Sequence, residues 1–381
     1  MRQPLKPVQR TVILLACGET PSRRVPSATK SPKATTFGGF GLLNCDRLHR
    51  RVDQTYPRSF RRVRILVSES DLETALDSVR ARAAGSVEGI FGPASMTWRI
   101  DREAVIFLGA GRALLLQLAH PWVATAVAKH SRTFADPIGR FHRTFDVVFT
   151  MVFGSLDSAL AAARHLHHRH ATIVGRLTEA VGPFGRGSPY CANEAAALRW
   201  VHATLVETAL IVHDLILPPL SVEERERYWA ESRLYGALFG LTTADLPADW
   251  DSFAAYNAAM MQSDTLSVSA AARDVAGQIF AGGRPWLRPP RWYQALNAQL
   301  LPDRLRLGFG FAFDERDRKA AERALARIRR VYPKIPTRLR YVGPYQEAQA
   351  RLQGKPQLGW ATRCLNRAWI GRPELDDRWN R

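Results

Sequence analysis

The chain has 381 residues and a formal net charge of +19, with 54 Lys and Arg against 35 Asp and Glu. That length supplies ample material for a buried core. Its four cysteines are far apart, with no CxxC pair, which excludes a disulfide framework, a zinc knuckle and a c-type haem attachment site. The charge is uneven: residues 1–64 hold 14 Lys or Arg against Glu19, Asp46 and Asp53, a net of +11, leaving +8 for the other 317 residues. This Pro-, Gly-, Ser- and Thr-rich head, taken as residues 1–70, reads as a basic disordered extension, so total charge does not imply specific nucleic-acid binding. Thr11–Cys17 is a seven-residue apolar run behind Lys6 and Arg10, short for a secretory signal. A cytoplasmic protein is expected, with membrane association through the N-terminal segment as the alternative.

A strand signal spans Arg61–Val67, and from Asp71 the chain reads as successive helices punctuated by Pro and Gly. Asp101 is placed to cap a helix running through Ala119, which stops where His120 precedes Pro121. Its apolar stretch is interrupted by Arg112, short of a membrane span. Gly109-Ala-Gly111 follows no strand and reads as a helix packing point rather than a dinucleotide fingerprint. A short helix over Trp122–Lys129 follows. Asp136-Pro137 then opens a helix with the stripe Ile138, Phe141, Phe145, Val148, Val152, closed by Gly154. Ser155 opens a helix to Leu177 whose stripe is Leu156, Leu160, Ala163, His167, His170, Val174, Leu177, a 4-3-4-3 spacing on one face.

Beyond a Gly/Pro-rich loop, Asn193 is placed to cap a long helix to Leu217, and Ser221-x-x-Glu224 is a capping-box pattern. Helices are also predicted over Trp250–Ser263, Ser269–Phe280, Pro290–Leu300 and Arg316–Val331. The fold class is all-α: a helical domain over residues 71–332, then an irregular basic tail over 333–381 packed on its surface. Glu-x-x-His pairs, His-Glu-x-x-His and Gly-x-Ser-x-Gly are absent, which removes di-iron, zinc-protease and serine-hydrolase chemistries.

What remains is histidines on helices. His167 and His170 share the apolar face, whereas His165 and His168 point elsewhere. His202 lies on the stripe Leu198, His202, Leu205, Ala209, Val212, and His213, eleven residues on, shares its side. Each is either a core histidine bonded to a carbonyl or a ligand to a buried cofactor. With Phe141 and Phe145 facing the core, Thr144 falls beside the stripe and Arg140 a step further round, while Arg143 points outward as a solvated flank.

The run IFGPASMTWRIDREAVIFLGAGRALLLQLAHPWVATAVAKHS (Ile90–Ser131) resembles the MpaB-type oxygenase family, which includes the rubber oxygenases or latex-clearing proteins. So do DPIGRFHRT (Asp136–Thr144), VFG (Val152–Gly154), HATIVG (His170–Gly175) and WVHATLVET (Trp200–Thr208). The resemblance covers roughly Gly85 to Ala281. It implies a multi-helix bundle with a globin-like core around haem b, and an oxygenase using dioxygen on a hydrophobic lipid, terpenoid or polyisoprenoid-like substrate. His170 matches the proximal iron ligand, with His120 and His202 as further histidines to be weighed. Arg140 and Thr144 match the rubber oxygenases' Arg-x-x-Lys-Thr segment, where the Lys caps the distal side of the iron. Here that position is Arg143, whose guanidinium stays protonated and is no neutral nitrogen ligand. The iron is then five-coordinate, or holds water, or takes His120. The rubber oxygenases also use a distal glutamate upstream, but no acid lies between Glu103 and Asp136. C=C cleavage and hydroxylation both stay open, as does a non-catalytic haem or apolar-ligand binding protein.

Overall fold

The computed structural model describes residues 66–130, 136–281, 288–355 and 357–375. Of the expected head (1–70) and the expected strand Arg61–Val67, all up to residue 65 lies outside the described residues, while residues 69 and 70 already belong to the first helix. Among those described are sixteen α-helices and two three-residue strands, so the all-α expectation holds.

α1 (Glu69–Arg82) begins at a capping box in which Ser68 and Asp71 satisfy each other's backbone N–H. α2 (Met96–Asp101) corrects the prediction for Asp101, which ends this short helix instead of opening a long one. Ser95 is the cap, accepting from the Trp98 N–H. The Arg102 carbonyl accepts from the Val342 N–H, and Glu103 bridges to Tyr341, so distant backbone draws the chain out of helical register. It resumes as a 3-10 segment (Ala104–Gly109) and α3 (Ala110–Leu118), then turns by 103° into α4 (Pro121–His130).

α5 (Pro137–Phe153) starts as expected, the Asp136 carboxylate accepting from the Gly139 N–H ahead of Pro at the first position, and is closed by Gly154. α6 (Leu156–Ala171), capped by Ser155, stops short of the predicted Leu177. The β-branched run Thr172-Ile173-Val174 leaves the helix and Val174–Arg176 forms β1. It pairs antiparallel with β2 (Pro189–Cys191), Gly175 opposite Tyr190. A Cβ on Gly175 would lie 2.5 Å from the Tyr190 hydroxyl, so only glycine fits this contact.

α7 (Ala195–Ile216) is the spine. Glu194, not Asn193, caps it, accepting from the Ala197 N–H at 2.7 Å, while the Asn193 side chain is spent on the His167 carbonyl. By length and composition α7 could cross a membrane. Here 72% of its apolar window is buried, and Arg199, His202, Thr204, Thr208 and His213 are buried along it. The 3-10 segment packs on it at Gly109, where a Cβ would come within 2.4 Å of Thr208 Cγ2. Gly111 faces α11 instead, where a Cβ would come within 2.8 Å of Asn297 Cγ.

Then follow α8 (Val222–Ala237), with its Ser221/Glu224 capping box, α9 (Trp250–Gln262), α10 (Ala270–Ala281), α11 (Arg291–Gln299), α12 (Asp303–Gly308) and α13 (Glu315–Val331). The tail, expected to be irregular from Pro333, instead carries α14 (Thr337–Arg340), α15 (Gly343–Leu352) and α16 (Trp360–Ile370). Pro336 and Pro344 sit at or before the first turn of their helices, where a missing N–H costs nothing, so they start helices rather than break them. α15 and α16 pack on α5.

Candidate functional site

α5 and α6 pack together as a helical hairpin joined only by Gly154 and Ser155. At 1.5 Å rise per residue, Arg140 and His170 each stand roughly 20 Å from that turn. They therefore lie at the same, open end of the hairpin.

An aromatic ladder sets the rotation of α5. The rings of Phe141 and Phe145 are 4.4 Å apart, Phe107 is 4.8 Å from Phe145, and Trp369 of α16 is 4.4 Å from Phe107. The neighbouring turn is held by the Arg372–Asp146 ion pair and by His142, whose Nε2 lies 3.1 Å from the Ala368 carbonyl. Arg140 is half-buried, and burial followed by the nearby Arg143 charge holds its pKa below the usual guanidinium range. Arg143 is exposed, as read from the sequence, and pairs with Asp136 at 3.0 Å. Thr144 departs from its expected place beside the buried stripe: with Phe145 turned to Phe107 and the C-terminal helix, Thr144 swings to the exposed side.

On α6 the four histidines separate. His165 and His168 are exposed. His167 is 8% exposed, and its Nε2 meets the Val67 carbonyl at 3.0 Å. That bond makes it a strut between α6 and the segment entering α1. His170, in the last turn, makes no ring hydrogen bond among the described residues, yet it retains accessible surface. Burial, then His167 and Arg169, pulls its pKa down to about 4, so it is a neutral imidazole at physiological pH.

His120, at the bend between α3 and α4, is 1% exposed, and burial also brings its pKa down to about 4. Its Nδ1 is buried without a partner, and its ring makes no hydrogen bond among the described residues. Trp122 and Phe184 lie 5.7 and 5.8 Å from it, centroid to centroid. Phe184 belongs to the connection between β1 and β2, so the hairpin leaving His170 covers the His120 ring.

His202 is differently placed. Its Nε2 donates to the Ser232 carbonyl at 2.8 Å, its ring stacks on Tyr235, and burial outweighs that hydrogen bond to bring its pKa to about 4. His213 sits further along α7 with Asp214 at 3.6 Å, and burial lowers its pKa against the opposing carboxylate. Both belong to the α7 core, not to the open end of the α5–α6 hairpin. The His202 Nδ1, like that of His120, is buried without a partner.

Sequence reading missed a half-buried acid. The Asp101 carboxylate accepts from the Tyr228 hydroxyl at 3.0 Å, and burial raises its pKa to about 7. Its partner is 127 residues away, beyond any local pattern. A half-open cleft of about 320 Å³ lies over α7, α8 and α9, lined by Glu207, Asp214, Arg225, Trp250, Asn257 and Met261 among others, and holds none of the predicted site residues. Among the described residues no three His, Cys, Asp or Glu side chains converge as a metal-binding group.

No curated protein and no solved structure matches the chain. A family model does, over residues 97–331, from α2 to the end of α13 and including Arg140, Arg143, Thr144, His170, His120 and His202. On that match, the chain belongs to the ER-bound oxygenase mpaB/B'/rubber oxygenase family and carries its catalytic domain.

Proposed function

We propose that the protein is a haem b-dependent oxygenase acting on a hydrophobic lipid, terpenoid or polyisoprenoid-like substrate, with His170 as the iron ligand. The observation that carries this reading is the state of His170: neutral, unbonded at its ring, and level with Arg140 at the open end of the α5–α6 hairpin.

The donor set fits. His170 offers an uncommitted lone pair down to about pH 4, because burial disfavours its protonation. His120 offers a second neutral imidazole with an unpartnered Nδ1, and would be a second residue able to hold the iron. His202, whose Nε2 donates to Ser232 and whose Nδ1 is likewise unpartnered, is less suited because it stands in the α7 core and not at the open end of the hairpin. Arg143 is held by Asp136 and stays protonated, which removes it as a nitrogen ligand. Arg140 places a half-buried positive charge on the same helix, suited to an anionic group such as a propionate. Bound haem would supply the iron at which dioxygen is activated. A globin-like arrangement around it belongs to the same proposal.

A second reading, a non-catalytic haem or apolar-ligand binder, is favoured by two observations: no acid stands between Glu103 and Asp136, and Thr144 is exposed. Dioxygen uptake separates the two. Haem-loaded full-length protein, given a reductant and a panel of terpenoids and unsaturated lipids, is expected to consume dioxygen with at least one of them. Arg140→Ala should lower that rate by roughly 10–100-fold. A haem-loaded wild type that consumes none across the panel would leave the binder as the correct reading.

A further inference from the structure

The end of α13 and α14 form one corner of the molecule. Tyr332 closes it, its hydroxyl donating to the Arg340 carbonyl at 3.1 Å and reaching Glu103 at 2.9 Å, which brings the residues around 332 and 340 side by side. Residues 323–340 contain seven Lys or Arg and no acid. Two of the seven are used internally: Arg340 pairs with Glu103, and Arg329 donates to the Leu215 carbonyl. Arg323 is turned back onto the Lys319 carbonyl of its own helix. The side chains of Arg327, Arg330, Lys334 and Arg338 are exposed and make no ion pair or hydrogen bond among the described residues.

Two bare aliphatic side chains sit among these cations. Leu339, on the single turn of α14 between Arg338 and Arg340, is 64% exposed, and Val331, directly after Arg330, is 41% exposed. An isolated exposed leucine is ordinary, but one framed by four unpaired cations on a corner braced by Pro333 and Pro336 matches a particular surface. Phosphates at the headgroup level neutralise the guanidinium and ammonium groups while the aliphatic side chains enter the acyl boundary. The aromatic groups that would stack on bases are withdrawn here. Tyr332 is 7% exposed, and the Tyr341 ring is covered by Arg102 at 4.5 Å and Arg340 at 5.1 Å.

We propose that this corner, centred on Leu339 and flanked by Arg327, Arg330, Lys334 and Arg338, docks the protein on an anionic lipid bilayer. The surface straddles the end of the family match, with Arg327 and Arg330 inside it and Lys334, Arg338 and Leu339 beyond it. It stands independently of the oxygenase reading, although a membrane would also be the reservoir of an apolar substrate.

The test is co-sedimentation of the full-length chain with phosphatidylcholine vesicles, with and without phosphatidylglycerol. The first variant is the fourfold Arg327→Gln, Arg330→Gln, Lys334→Gln, Arg338→Gln. The second is Leu339→Ser. The third removes equal charge from the basic head (Arg23, Arg24, Arg50 and Arg51 to Gln) and controls for non-specific attraction. Each basic group at the surface contributes about fivefold to partitioning. The fourfold corner variant should therefore lose at least about tenfold more binding to anionic vesicles than the head variant. Leu339→Ser should lose several-fold at unchanged charge, with helical circular dichroism intact. A corner variant that binds as well as the head variant overturns the proposal. So does a Leu339→Ser protein that binds vesicles like wild type. Tighter binding of a single-stranded oligonucleotide than of anionic vesicles, lost in the corner variant, would reassign the corner to nucleic acid.

Discussion

Glu207→Leu is expected to destabilise the fold by about 3–5 kcal/mol, more than Arg112→Met, although both break the same ion pair. The asymmetry comes from burial. The Arg112 side chain is 3% exposed, and its guanidinium donates to Glu207 and Thr208 at 2.6 Å each and to the Leu300 carbonyl at 3.0 Å. Without Glu207 a full positive charge stays in the core with only neutral acceptors. The Glu207 side chain is 19% exposed and lines the α7–α9 cleft, so water can reach its carboxylate once Arg112 is gone. Arg112→Met should then cost about 1–3 kcal/mol, mostly for the abandoned Thr208 and Leu300 acceptors. The double variant should recover part of the Glu207→Leu loss, because the two residues act as one unit. Urea unfolding of the three variants checks this. Equal losses for both single variants, or the reverse ranking, would show that Arg112 is not the charge that depends on its partner.

The second large effect is on the pH dependence of stability, with two groups of opposite sign. His120 and His202 have pKa values of about 4 in the fold against an ordinary 6.5, through burial. Below about 6.5 the unfolded chain takes up protons that these rings refuse, so stability falls as pH drops from 6.5 toward 4. Each ring contributes a loss of roughly 3 kcal/mol by pH 4. Asp101 works the other way. Its folded pKa is about 7 against 3.8, so the native state keeps a proton that the unfolded chain has released, and stability falls as pH rises through this range. Glu347, raised to about 7 by burial despite accepting from Asn366 and the Leu375 N–H, adds in the same direction. Urea unfolding between pH 4 and 8 should thus show a shallower acid limb in His202→Gln and a shallower alkaline limb in Asp101→Asn. Parallel curves for Asp101→Asn and wild type would mean that Asp101 is ionised and hydrated in the fold.

Local chemistry carried the helix starts. Asp136-Pro137, Ser155 and Ser221-x-x-Glu224 act through side chains that reach their own backbone within three residues, so spacing alone reveals them. The errors share one cause, a partner distant in sequence. Asp101 looked like a cap, but its carboxylate belongs to Tyr228. Asn193 looked like a cap, but His167 claims it. Pro344 looked like a breaker because the surface its helix packs against, α5, is far upstream.

The site was legible to the same depth. Periodicity placed His167 and His170 on one face and could not separate them. Their surroundings differ through distant partners: the His167 Nε2 meets the Val67 carbonyl, whereas the His170 ring makes no hydrogen bond among the described residues. The His202 Nε2 likewise donates to a distant carbonyl, Ser232, thirty residues on. Thr144 was misjudged because the Phe141–Phe145 face of α5 is turned by Phe107 and Trp369, from the 3-10 segment before α3 and from the C-terminal helix.

The most direct test of His170 as the iron ligand is the absorption spectrum of full-length protein expressed with added haem precursor, beside His170→Ala, His202→Ala and His120→Ala. The wild type should show a Soret band that His170→Ala loses while remaining helical. His202→Ala should keep the band at lower stability, and His120→Ala should keep it with a changed position if it supplies the opposite ligand. A Soret band that survives in His170→Ala, or a folded wild type with none, would contradict the assignment.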